Sequence, residues 1–168
     1  MKRHDIESLD DHGIFDACFT PLIMEYKKKM AKENSAMVKE RFYAELTTGQ
    51  KALFTFHMYY DHAIESQTEF YWWSAYFMAQ PKIWSAIKLG LQYFEDDSMY
   101  LLIQETEKVL QKHHCPNTLE AFAVKREDLD QDFELSESIN SLYFQFSELS
   151  DATITKISHY IRGNQEAF

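Results

Sequence analysis

ALFTFHMYYDHAIESQTEFYWWSAYFMA, residues 52–79, is the stretch that decides how this chain folds. Wound at the helical period it is apolar on almost every side, which predicts one long central helix buried by its neighbours. Phe54, Phe56, Tyr59, Tyr60, Phe70, Tyr71, Trp72, Trp73, Tyr76 and Phe77 lie along it, with His57, Asp61, His62, Glu65 and Glu69 among them. Aromatic rings and ionisable groups on one buried helix point to a pocket for an apolar ligand with a polar end. The plainer alternative is a large aromatic core with one wet stripe.

Outward from this stretch the breakers mark where helices meet. The chain holds 4 Gly and 3 Pro, scant turn chemistry for a β fold. Thr20-Pro21 reads as an N-cap with proline at the first helical position, opening a helix that runs to Lys32 or Glu33. Asn34-Ser35 starts another that ends near Thr47. Thr47-x-x-Gln50 has capping-box spacing, so the aromatic helix begins near Thr48. Pro81 stops it and opens the next. Asp96 and Asp97 cap a helix through Leu110, and residues 113–117 form a loop. Asn117-x-x-Glu120 predicts a short helix, and residues 125–134 are charged with no clear period. Leu135, Ile139, Leu142, Tyr143, Phe146 and Leu149 recur at helical spacing. Ser150-Asp151 allows a kink or a new cap before Ile154, Ile157 and Ile161, and Gly163 suits a C′ position. The whole is an all-α chain of about seven helices in one domain, 1–168, with a globin-like or irregular bundle plan.

Composition narrows the class. The length of 168 residues suits one core. The formal net charge is −10, from 27 acidic and 17 basic residues, which argues against nucleic-acid binding through a general basic surface. Cys18 and Cys115 make no disulfide framework and fit a reduced, cytoplasmic setting. No signal-peptide pattern opens the chain. No run approaches the about 18 apolar residues of a membrane span, because Asp61, His62, Glu65 and Glu69 interrupt the longest candidate.

Metal, nucleophile and phosphate chemistries find little support. His57, Asp61, Glu65 and Glu69 drift round one side of the helix, and a His with carboxylates supplies part of a metal site. The ferritin-like pattern needs Glu-x-x-His on two helices, and none occurs; His57 and His62 diverge. His113-His114-Cys115 has the residue types for a soft metal, but with no second cluster the plainer reading is histidine at a helix C-terminus. Cys18 lies near Pro21, where a helix N-terminus would lower its pKa; a buried, inert thiol is commoner. No Gly-x-Ser-x-Gly elbow or Gly-rich phosphate loop is present. The aromatic set remains. Trp72, Trp73, Tyr76 and Trp84 suit the lining of a cavity, with Phe54, Met58 and Asp61 beside them and His57, Lys51 or Arg41 meeting a carboxylate.

The runs LTTGQKALFTFHMYYDHAIESQTEFYWWSAYF and PKIWSAIKLGLQYFEDD resemble a small family of sensor domains from spore-forming bacilli. These occur as stand-alone sporulation-inhibitory proteins and as the input domain of a sporulation sensor histidine kinase. The resemblance spans nearly the whole chain and rests on general pattern rather than on a diagnostic motif. It implies a globin-like fold without haem, a fatty acid in an apolar tunnel, dimers, and titration of an activating signal away from the kinase. The crowding by Tyr59, Tyr60, Tyr71 and Trp72 gives no reason to expect haem. A non-enzymatic sensor is therefore the first expectation, with a homodimer through residues 135–161. The rivals are a helical metalloenzyme of haem-oxygenase-like or ferritin-like type, using His57, Asp61, His62, Glu65 and Glu69 with His12 or Asp16, and a helical adaptor without a small ligand.

Overall fold

A computed structural model describes residues 8–33 and 35–168. Among these residues there are eight α-helices and no strand: α1 Asp11–Lys32, α2 Ala36–Glu45, α3 Thr48–Ala63, α4 Gln67–Met78, α5 Pro81–Tyr93, α6 Asp97–Lys112, α7 Asp128–Gln131 and α8 Phe133–Gly163, followed by a 3-10 turn, Gln165–Ala167. No helix among them is long and apolar enough to cross a membrane.

Most helix starts follow from local capping. Thr47 and Gln50 form the reciprocal capping box of α3, at 3.1 Å in both directions. Pro81 opens α5 and Asp96 caps α6. Ser35 caps α2, while Asn34 lies outside the described residues.

Five boundaries differ from the sequence reading. Pro21 lies inside α1, not at its start, and the Thr20 hydroxyl bonds back to the Asp16 carbonyl at 2.7 Å. The helix continues through proline because Phe15, Phe19 and, further on, Leu22 and Tyr26 belong to one buried stripe. The aromatic stretch is two helices, broken at 64–66. Ser66 caps α4 through Glu69 N–H at 3.2 Å, and the Tyr143 hydroxyl donates to the freed Ile64 carbonyl at 3.0 Å. The short helix expected to start at Asn117 does not form, and residues 117–127 are irregular. Finally, α8 runs unbroken through Ser150-Asp151, since the Ser150 hydroxyl returns to the Phe146 carbonyl at 2.7 Å instead of capping a new helix. Gly163 is its last residue and has no positive φ, so Asn164 ends the helix.

Helix α3 sits at the centre, against α1, α4 and α5; α8 lies across α1, α4 and α6. One contiguous apolar cluster takes in residues from every helix. The α3–α5 contact is close because both sides are small: a Cβ on Gly90 would stand 3.1 Å from the Ala52 backbone. Two buried polar groups are paired across helices. The Tyr59 hydroxyl meets Ser74 at 2.7 Å, and Asp96 accepts from Thr153 at 2.6 Å and Lys156 at 2.9 Å. The apolar stripe of α8, Leu135 to Ile161, faces inward as core.

Candidate functional site

The residues singled out on the central stretch do not line one cavity; they fall in three places. Phe54 joins Phe19, Tyr26 and Phe42 in a ring cluster between α1, α2 and α3. His57, one turn on, is buried between Phe15 and Phe19, with ring centroids 4.2 and 3.7 Å away. Its Nε2 is 3.0 Å from Asp16 and its Nδ1 3.2 Å from Asp61, although the second contact lacks hydrogen-bond alignment. Two protein carboxylates thus already face its ring, a poor setting for a third from a ligand. Met58 is partly buried against the core, Lys51 lies over the Tyr43 ring at 5.6 Å, and Arg41 is exposed on α2.

Trp84 marks the second place. It is buried on α5 against Tyr59, and its indole N–H has no hydrogen-bond partner among the described residues. It borders an opening of about 180 Å³ beside the Lys88–Glu107 ion pair, 2.7 Å long.

The third place is a half-buried aromatic platform on α4. Trp72 and Tyr76 lie one turn apart with rings parallel at 5.2 Å, and Trp73 stands edge-on to both. Residues 113–127, irregular in structure, cross this platform as a strap. Phe122 meets Trp72 and Tyr76 edge-on at 5.6 Å. The Trp72 indole donates to the Val124 carbonyl at 3.2 Å. Arg126 lies over the Trp72 ring at 4.5 Å and grips both oxygens of Glu69, with Nη2 at 2.7 Å. The Trp73 indole donates to the same carboxylate at 3.0 Å. That arginine fork, first of all, holds the Glu69 carboxyl below its ordinary pKa. A planar guanidinium matched to a carboxylate is a strong and oriented pair.

On its other side the strap bounds an open pocket of about 220 Å³, lined in part by Tyr71, His113, Cys115 and Asp128. The Tyr71 hydroxyl donates to Asp128 at 3.2 Å and lies 4.0 Å from the Cys115 sulfur. Burial pushes both the Tyr71 and the Cys115 pKa up. Cys18 lies within α1 rather than at a helix start, and burial raises its thiol pKa too.

The polar ladder does not converge. Asp61 faces His57, His62 stacks on Trp73 at 3.9 Å, and Glu69 is held by Arg126. His12 meets Asp151 at 3.2 Å. Among the described residues no group of three or more His, Cys, Asp or Glu is arranged to hold a metal ion.

Sequence reasoning missed Arg126, in a charged stretch with no clear period, and Phe122, where a short helix was expected instead. One signal was present for the break that turns the platform outward: Ser66-x-x-Glu69 has the same capping spacing as Thr47-x-x-Gln50. Comparison with family models, curated proteins and solved structures found no match.

Proposed function

We propose that this chain is a non-enzymatic sensing domain that binds a fatty-acid-like molecule along the α4 platform, with the carboxylate on Arg126. The supporting observation is the Arg126–Glu69 fork. An arginine on an irregular segment already holds a carboxylate at the end of a row of flat rings. Its side chain is 40% exposed and that of Glu69 21%, so a ligand carboxylate can reach the fork and exchange with Glu69. The alkyl chain would lie on Trp72, Tyr76 and Phe122, gaining about 25 cal/mol per Å² of apolar area buried. Exchange would break the Arg126–Glu69 tie and lift the strap to admit the chain. Ligand would then shift the balance between closed and lifted strap by its difference in affinity for the two.

The family resemblance supplies the wider role: a cytoplasmic, globin-like dimer that withholds the ligand from a sporulation sensor kinase. Native mass spectrometry of the purified protein, followed by denaturation, should release a fatty acid. Titration with palmitate, read by tryptophan fluorescence, should give an affinity that Arg126→Gln lowers about ten- to a hundredfold, as expected for loss of a charge-assisted pair worth ~1.5–3 kcal/mol. Glu69→Gln should raise the affinity by removing the internal competitor. Unchanged affinity in both variants would reject the site.

A helical adaptor is the second reading, favoured by Phe133 and Phe144. They are 80% and 63% exposed and share one stripe of α8. It gains if no small molecule is bound and replacing both by alanine abolishes association with a partner protein.

A further inference from the structure

The end of α6 presents two soft donors to one pocket. His114 has a φ of 58°, and around it Cys115 N–H bonds to the Leu110 carbonyl at 2.9 Å and His114 N–H to that of Gln111 at 3.0 Å. This is a Schellman helix end, normally made by glycine. It reverses the chain so that His113 and Cys115, on either side of the turn, both line the pocket under the strap. Asp132, at the start of α8, lies 2.8 Å from His113 Nδ1. Asp132 Oδ1 also accepts from the Leu135 N–H at 2.9 Å, so the carboxylate faces His113 as an acceptor. With Nδ1 donating to it, Nε2 is the ring nitrogen left to offer a lone pair. That Nε2 is buried with no hydrogen-bond partner among the described residues, and the His113 side chain is only 10% exposed. A carboxylate that orients an imidazole through one nitrogen, leaving the other bare, is the outer arrangement of histidine metal ligands.

We propose that His113 Nε2 and Cys115 Sγ bind one Cu(I) ion beneath the strap. Two donors do not build a tetrahedral zinc centre, which takes four ligands or three and a water. They do suit a soft, monovalent ion content with two ligands, and thiolate and imidazole are the donors that copper(I) prefers. The thiol S–H bond breaks, the sulfur donates its electron pair to the metal, and one proton passes to solvent for each ion bound. No oxidation or reduction occurs.

The reduced full chain should be mixed anaerobically with the coloured Cu(I)–bicinchoninate complex. One equivalent of copper should leave the chelator for the protein. Cys115→Ser and His113→Gln should each weaken binding by more than about tenfold, and Asp132→Asn by about ten- to a hundredfold. Asparagine still caps α8, so circular dichroism should stay unchanged in that variant. Cys18→Ser should bind as the parent does. Copper left entirely on the chelator would overturn the proposal, with Nε2 then satisfied by water. Undiminished binding in Cys115→Ser, or an equal loss in Cys18→Ser, would overturn it as well. None of these outcomes depends on fatty-acid binding, which is read separately through Arg126.

Discussion

Tyr59 shows how much of the core depends on single polar matches. Its ring is fully buried and packs on Phe77, Trp84 and Phe146, while its hydroxyl meets Ser74, also fully buried. Tyr59→Phe should cost ~1–3 kcal/mol by urea unfolding, because Ser74 is left without that partner. Ser74→Ala added to it should cost less than the sum of the two changes, since both remove the same bond. His57 is the contrasting case. Its type and helix position placed it near a polar end of a ligand, yet Phe15, Phe19, Asp16 and Asp61 enclose it. Three of these, Phe15, Asp16 and Phe19, come from α1, far away in sequence, so no local pattern around His57 could announce them. Arg126 was equally silent in the sequence, because a loop arginine acquires meaning only when Glu69 and Trp72 stand beneath it.

At the scale of elements, the helix starts were legible and the ends less so. A cap is a local exchange between residues three apart, as Thr47–Gln50 and Asp96–Met99 show. An end depends on what the chain does next. Both α5 and α6 finish in Schellman turns whose left-handed residue is not glycine: Glu95 at φ 55° and His114 at φ 58°. Each places a Cβ where L-residues pay roughly 1–2 kcal/mol. Glu95→Gly and His114→Gly should therefore raise the urea midpoint, each by about 1 kcal/mol in stability after the extra freedom of the unfolded chain is deducted. A lowered midpoint in both would mean that the turns are not under this strain. The break between α3 and α4 belongs to the same scale. The hydrophobic period runs straight across it, and only the Ser66 cap and the distant Tyr143 hydroxyl fix the corner.

For the whole molecule, acid should be the weak side. Asp11, Glu69, Asp132 and Glu134 all have lowered pKa values, caused first by Arg162, Arg126, the Leu135 N–H and Lys112 respectively. A folded-state pKa below the unfolded one means that the unfolded chain binds more protons as pH falls. The stabilisation is then present above the ordinary carboxylate range, about pH 4, and disappears as pH drops through the folded values. The urea midpoint should fall between pH 5 and about pH 3, and by less in Glu69→Gln, where one such group is gone. Equal midpoints at the two ends of that range would show these pairs contribute nothing to stability. Two of the four pairs, Asp11–Arg162 and Glu69–Arg126, join helices to segments remote in sequence, so acid should loosen the strap and the α1–α8 contact.

The amino-acid sequence by itself determined an all-helical chain, the starts of α2, α3, α5 and α6, and the burial of the first half of the aromatic stretch, Ala52 to Tyr59. These follow from periodicity, caps and proline, which act over a few residues. Only the tertiary structure decided that α1 runs through Pro21, that the aromatic stretch bends at Ser66, and that α8 is unbroken at Ser150. It also decided where the candidate chemistry lies. The platform, the strap and the Asp132–His113 pair join residues 19 to 57 positions apart in sequence, and only folding brings such residues within bonding distance.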